Sequence, residues 1–225
     1  MPNGFHAGPA ALINLLRTLT TFAEEKIVTA QINDLFHYRN RNYSVAGISE
    51  GELFVPSVLD LMPVSTCTAC WRGYRAVFGL LDKRLVLSDL HINLMKSEGR
   101  YQRQEGPDIN GVKATDRKDK HDWFNNHYES LAYHLEYSGG LLIADGFLRE
   151  LYVHMGFHPP WKYESVFELI FEGGILKQEF DRSERMAEIR KEFVQARPKD
   201  SSGAPLSRDE ITKFVERAFD RSYRM

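Results

Sequence analysis

The stretch that decides the fold lies at residues 73–92 and reads GYRAVFGLLDKRLVLSDLHI. Two runs of strand-forming residues flank the polar turn at 82–84, a pattern typical of a β-hairpin. Glycine pairs at 139–140, between YHLEY and LLIAD, and at 173–174, between SVFELIF and ILKQEF, predict two more hairpin turns. Glycine reaches the positive φ values that such turns need. The sequence therefore predicts a mainly antiparallel sheet.

Shorter strand patterns precede this hairpin, and helical patterns lie at both ends of the chain. Apolar residues at helical spacing predict the helices, and runs rich in β-branched and aromatic residues predict the strands. The predicted helices are 9–23, 183–196 and 207–225, and the predicted strands are 26–32, two runs within 34–48, and 52–56. We therefore expect an α+β fold, with a twisted sheet or half-barrel, an N-terminal helix and a C-terminal helical pair.

The predicted strands and helices divide the chain into a sheet-rich part and a helical end. We expect a sheet-rich domain at 1–180 and a C-terminal helical appendage at 181–225. A polar insertion at about 97–121 is too long for an ordinary connection in a compact domain. It is either a mobile insertion or a functional loop, and its composition favours a solvated loop.

Charge and hydropathy exclude several classes of protein. The 225 residues carry 29 basic and 31 acidic side chains, for a formal net charge of -2. Binding to nucleic acid is not expected, because phosphate backbones call for a strongly basic surface. The sequence has no apolar run of membrane-spanning length and no secretory signal pattern at its start. The expected location is therefore the cytoplasm, with no membrane partner and the two cysteines as thiols.

A metal half-site is the first candidate site. Cys67 and Cys70 have the spacing of a zinc-binding pair, and His154 and His158 offer a second pair of ligands. The two pairs lie far apart in the sequence, unlike the compact spacing of zinc fingers. Unpaired cysteines are more often small buried apolar residues. The sequence therefore favours a protein without metal or cofactor.

The residues Trp71, Arg72 and Tyr74 form the second candidate, a ligand-binding group. A guanidinium between two aromatic rings binds a carboxylate or phosphate, or stacks on a flat ring. Alternatively, Arg72 pairs with an internal acid such as Glu164 and ties two strands together. The structural alternative is the commoner role for an arginine beside aromatic residues.

The third candidate lies in the segment 148–165, which concentrates aromatic residues and histidines. His154 and Glu164 are candidates for a general base and its orienting partner, or for an acid/base pair. Strand alternation would place Tyr152 and His154 on one face. A structural histidine, hydrogen-bonded as part of the scaffold, is the alternative.

Two blocks of the sequence together resemble a family of uncharacterised bacterial proteins. The resemblance rests on Thr68-Ala-Cys-Trp-Arg-Gly-Tyr74 and on Tyr152-Val-His-Met-Gly156, followed by Tyr163 and Glu164. It implies a shape and no activity. Cys67 and His158 lie outside the shared pattern, which argues against a four-ligand zinc site. The shared residues favour a common face for Arg72, His154 and Glu164.

These observations favour a non-enzymatic recognition protein that binds another protein, as an immunity or antitoxin-like module does. The support is the lack of catalytic motifs, the near-neutral charge, the polar loop at 97–121 and the apolar stripe predicted on the helix at 207–225. That stripe also offers a route to a homodimer. The alternative is a small-molecule-binding protein or enzyme that takes an anionic substrate at Arg72, His154 and Glu164.

Overall fold

The computed structural model describes residues 30–96, 102–116, 122–152, 154 and 156–195. The described residues form nine strands and one α-helix, with short 3-10 turns between them. The strands are β1 (Leu35–Tyr38), β2 (Arg41–Ile48), β3 (Tyr74–Leu81), β4 (Arg84–Ile92), β5 (Asn126–Tyr128), β6 (Tyr133–His134), β7 (Gly139–Phe147), β8 (Tyr163–Glu172) and β9 (Ile175–Asp181). The helix is α1 (Ser183–Gln195), and the 3-10 turns are Pro56–Leu59, Arg149–Leu151 and Pro160–Lys162.

Seven of the strands form a sheet that closes on itself. The order runs β3-β1-β2-β7-β8-β9-β4, and β4 pairs again with β3. Neighbouring strands are antiparallel except β1 and β3, which are parallel. The junction of β9 with β4 is short, and the Leu85 N–H donates to Gly174 O at 2.7 Å there. Beyond this junction, β6 and β5 pair with the same edge of β4.

Local turn chemistry sets two of the hairpins. Asp82 and Lys83 join β3 to β4 with φ values of 50° and 64°. Both values lie in the left-handed region, which a two-residue hairpin turn needs because its twist then matches that of the strands. Gly173 and Gly174 do the same between β8 and β9. The predictions of these two hairpins are confirmed.

The main core lies inside the closed sheet. Alternate residues of most strands point inward, so that one face of these strands is apolar and buried, whereas β9 is largely exposed. Large rings and leucines fill this space, among them Phe36, Phe78, Leu87, Tyr128, Leu141 and Phe171. A smaller cluster lies outside β2, β7 and β8, where α1 covers Ala144, Trp161 and Val166 with Met186.

The predicted α+β class is wrong. The described residues are mostly sheet with a single α-helix, α1, instead of a sheet flanked by an N-terminal helix and a C-terminal helical pair. The physical reason is closure: a sheet that curls onto itself buries its apolar face without helices. The helices predicted at 9–23 and 207–225 lie outside the described residues. The predicted division at 180–181 stays a prediction.

Two further strand predictions fail in the structure. Gly139 and Gly140 begin β7 instead of forming a hairpin turn, because Tyr133 of the preceding segment pairs with Leu87 of β4. The predicted strand at 52–56 does not form, and Pro56 opens a 3-10 turn. In both places a distant strand edge or a proline outweighs the local pattern.

The described part of the polar insertion, 102–116, is packed on the body. Ile109 and Ala114 are buried in the main core. Arg103 donates to Asn125 O at 2.6 Å, and Asn110 donates to Leu131 O at 2.6 Å. These contacts differ from the solvated loop that the composition favours.

Candidate functional site

The loop at 62–73, which leads into β3, is held in place by the segment before β1. Gln31 uses both ends of its side-chain amide: its nitrogen donates to Thr68 O at 2.8 Å, and its oxygen accepts from the Trp71 N–H at 3.1 Å. The Ile32 N–H donates to Ala69 O at 2.8 Å. The backbone of the loop is therefore fixed from one side.

Asn93 fixes the same loop from the other side. Its backbone carbonyl accepts from the Val64 N–H at 2.9 Å, and its own N–H donates to Gly73 O at 2.9 Å. Its side-chain amide donates to Thr66 Oγ1 at 3.0 Å and to Trp123 O at 2.9 Å. Asn93 thus sets the segment that carries Trp123 beside the loop.

Large apolar side chains at this end of the sheet point into solvent. Met62 is 79% exposed, Trp71 is 60% exposed and Trp123 is 50% exposed, with Val64 partly exposed between them in the chain. We call these four residues the tryptophan surface. None of the ten residues from 62 to 71 is charged, although 27% of the whole chain is. Exposed apolar residues that lie together mark interaction sites more often than scattered ones do.

Arg72 is committed to a structural ion pair. Its two terminal nitrogens donate to the two carboxylate oxygens of Asp34, at 2.8 and 2.9 Å. Asp34 Oδ1 also accepts from the Ala76 N–H at 2.9 Å. The guanidinium lies over the rings of Tyr74 and Phe157, with its carbon 4.7 and 5.4 Å from their centroids. Bidentate pairing and two ring contacts together fix Arg72 between β1 and β3.

The other predicted ligand-binding residues form separate contacts. Tyr74 is buried and donates to Phe54 O at 3.4 Å. Tyr152 and His154 lie side by side, with Tyr152 Oη 2.9 Å from His154 Nδ1, in an exposed turn rather than a strand. Glu164 is exposed on β8. Within the described part of the chain, no hydrogen bond or ion pair joins Arg72, His154 and Glu164.

The predicted metal ligands also lie in ordinary structural contacts. The Cys70 thiol is buried and donates to Tyr74 O at 3.3 Å, and burial raises its pKa. Cys67 is partly exposed. His158 is buried beside Lys162 instead of facing the cysteines. Among the residues that the structure describes, no group of three or more His, Cys, Asp or Glu side chains is placed to hold a metal ion.

Comparison with known proteins gives no match: no family model, no curated protein and no solved structure matches the chain. Over the described ranges, the structure contains no helix long and apolar enough to cross a membrane.

Sequence reasoning missed a buried basic pair. Lys162 and His158 are buried, and Lys162 Nζ lies 3.5 Å from His158 Nδ1. Burial lowers the pKa of Lys162 to about 8, while burial and the nearby Lys162 charge lower the pKa of His158 to about 4. The only signal in the sequence is that Lys162 stands between Trp161 and Tyr163. Because lysine is almost never buried, composition alone points the other way.

A histidine pair beside the tryptophan surface was missed as well. His91 Nδ1 lies 2.8 Å from His127 Nδ1 across the β4–β5 pairing. His127 Nε2 faces Phe124 O at 3.0 Å and Asp122 Oδ2 at 3.1 Å. Both groups are acceptors, so Nε2 carries a proton and the two Nδ1 atoms share one hydrogen bond. This contact holds residues 122–127, and Trp123 with them, against β4.

Proposed function

We propose that this protein is a non-enzymatic recognition module that binds a protein partner through the tryptophan surface. An immunity or antitoxin-like role is the proposed biological form of that binding. The observation that carries the proposal is the joint exposure of Met62 and Trp71, on a fixed loop without charges at 62–71, and of Trp123 on the neighbouring segment.

The residue types at this surface suit a protein interface. Cores of protein interfaces are depleted in charge and enriched in tryptophan and methionine. Tryptophans also account for much of the binding energy where they enter a pocket on the partner. A soluble chain gains nothing from leaving Trp71 and Trp123 half or more exposed. A partner that covers them supplies a physical reason for the arrangement.

The rigidity of the loop supports the same function. Hydrogen bonds from Gln31 and Asn93, together with the Arg72–Asp34 pair, hold the backbone of 62–73 on both sides. Ordering a loop on binding costs about 0.5–1.5 kcal/mol for each immobilised side chain. A loop that is already ordered avoids part of this cost.

The test is retention of a protein partner by matched variants of the full chain. Tagged wild-type protein and the double variant Trp71→Ser, Trp123→Ser are used in parallel to capture proteins from the native host. The control variant is Leu81→Ser, which removes an exposed apolar side chain at the β3–β4 turn. We expect one stoichiometric protein to bind to the wild type and to the control, and to be lost with the double variant.

Equal retention by all three proteins would overturn the proposal, as would the absence of any stoichiometric partner. Circular dichroism of the double variant checks that the sheet is intact. Since both tryptophans are exposed, we expect its thermal midpoint to stay within a few degrees of the wild type.

A further inference from the structure

A cleft lies on the outer face of β1, β3 and β4, and neither Arg72 nor Asp34 lines it. It has a volume of about 590 Å³, within the range of roughly 300–1,000 Å³ typical of small-molecule sites. Both apolar and polar residues line it, and by strand register Arg75 and His91 lie toward one end and Val86 toward the other. The apolar part of the lining includes Leu35, Val77 and Val86, and the polar part includes Arg75, Asp89 and His91.

Gly79 lies between residues that line this cleft. It pairs with His37 of β1 on one side and with Val86 of β4 on the other. A Cβ atom at this position would lie 2.9 Å from Ser88 Oγ, inside normal contact distance. A side chain here would therefore occupy space between the three strands.

A β-bulge in β4 adds to the polar end. The register shifts between Val77 and Phe78, which pair with Asp89 and Leu87, so Ser88 is the extra residue. Bulges redirect side chains relative to a regular strand. As a result Ser88, Asp89 and His91 all line the same cleft.

Arg75 lines this cleft, and its guanidinium has an unmet hydrogen-bond donor. Its Nε atom is buried and meets no acceptor among the described residues. Its guanidinium carbon lies 5.9 Å from the centroid of the Phe124 ring. Because Nε is shielded from solvent, a ligand in the cleft would reach Arg75 through its two terminal nitrogens, for which a carboxylate is the matching acceptor.

Acidic groups share the polar end with Arg75. Asp89 and Glu129 both line the cleft, and Asp89 Oδ1 accepts from the Ser130 N–H at 3.0 Å. A simple organic anion would meet repulsion from these carboxylates. A ligand that carries a cationic group beside its carboxylate complements both the charge of Arg75 and that of the acidic residues.

We propose that this cleft binds a free α-amino acid with an apolar side chain. The ligand carboxylate pairs with Arg75, and its ammonium group lies toward Asp89. Its side chain covers Leu35, Val77 and Val86. Arg75 and Asp89 suit this role because they are diagonal neighbours on one face of the β3–β4 pair, about 7–8 Å apart at their Cα atoms.

Calorimetry with L-leucine as the probe tests the proposal. Two analogues with the same isobutyl group accompany it: 4-methylpentanoate, which lacks the ammonium group, and 3-methylbutylamine, which lacks the carboxylate. We expect L-leucine to bind the full chain, and each analogue to bind at least about tenfold more weakly because it loses one charge-assisted contact.

Three variants locate the binding. Arg75→Met removes the carboxylate partner, and Gly79→Val adds a side chain beside His37 and Ser88, which both line the cleft. Asp89→Asn removes the charge but keeps an acceptor for Ser130. We expect each variant to lower leucine affinity by about tenfold or more, whereas Arg84→Met, on the exposed end of the same hairpin, leaves it unchanged. Circular dichroism is recorded for each variant.

Several results would overturn the inference. One is the absence of leucine binding up to about 10 mM, which corresponds to less than roughly 3 kcal/mol of binding free energy. Another is equal binding of leucine and 4-methylpentanoate, which would show that Asp89 and Glu129 do not attract the ligand ammonium group. A third is unchanged affinity in folded Arg75→Met and Asp89→Asn, which would place the ligand elsewhere.

Discussion

The guanidinium of Arg72 and the carboxylate of Asp34 form a bidentate ion pair, with N–O distances of 2.8 and 2.9 Å. This pair joins the loop at 62–73 to the segment that leads into β1. The same carboxylate accepts from the Ala76 N–H in β3. Arg72 therefore stabilises the position of Trp71 instead of facing a ligand itself.

Replacing Arg72 by methionine should lower the free energy of unfolding by about 2 kcal/mol, because it leaves a partly buried carboxylate without its partner. Urea unfolding measures this change. The matched control is Arg185→Met, which breaks an exposed pair with Glu188 and should cost less than about 0.5 kcal/mol. Equal effects of the two substitutions would contradict the structural role of Arg72.

Gly73 should tolerate no side chain. Its φ is +71°, and a Cβ atom would lie 2.6 Å from Val64 O, a backbone atom that cannot move aside without shifting the loop. We expect Gly73→Ala to destabilise the protein by at least about 2 kcal/mol more than Gly51→Ala. Gly51 also has a left-handed φ, of +55°, but has no atom within 4 Å of a built Cβ. Thermal unfolding of both variants gives the comparison, and similar midpoints would argue against a tight contact at Gly73.

The sequence predicts the contacts that are local and misses those that depend on the closed sheet. The turn of the hairpin at 73–92 is visible because its turn residues are neighbours in the chain. The sequence suggests an internal acid as one alternative partner for Arg72, with Glu164 as the example. Asp34 is the partner because the parallel pairing of β1 with β3 brings the start of one strand beside the other.

The burial of polar side chains is also not predicted from the sequence. Lys162 is buried because α1 and the 3-10 turn at Pro160–Lys162 cover the outer face of β7 and β8. The His91–His127 contact depends on the pairing of β4 with the short strand β5, whose three residues give little strand signal. Both features follow from the order of strands, which local patterns do not encode.

The buried amine of Lys162 should make stability rise with pH above neutrality. Burial lowers its pKa from 10.5 to about 8, so between these values the unfolded chain binds more protons than the folded protein, and stability rises with pH. Below about pH 8 the full cost of the buried charge, about 3 kcal/mol, is present.

Lys162→Met should therefore flatten the pH dependence of stability between about 8 and 10.5. Urea unfolding across this range measures the slope. His158 acts in a separate pH range, because its pKa is lowered from 6.5 to about 4. Between these values the unfolded chain binds more protons than the folded protein, so His158 lowers stability only as the pH falls below about 6.5. If the free energy of unfolding of Lys162→Met rises with pH above about 8 as steeply as that of the wild type, Lys162 is not the source of this pH dependence.

The two cysteines should differ in reactivity toward a disulfide reagent. Cys70 is buried and burial raises the pKa of its thiol, so little thiolate is present and access is poor. Cys67 is partly exposed. We expect one fast thiol in the native protein, and we expect Cys67→Ser to remove it. Loss of the fast phase in Cys70→Ser instead would contradict the described loop geometry.

The most direct test of the tryptophan surface is the affinity of the purified partner, measured by calorimetry for wild type, Trp71→Ala, Trp123→Ala and the control Leu81→Ala. We predict a loss of at least about 30-fold, or roughly 2 kcal/mol, for a tryptophan at the centre of the interface. Leu81→Ala should change affinity by less than about twofold. Affinities within about twofold of wild type for both tryptophan variants would contradict recognition through this surface.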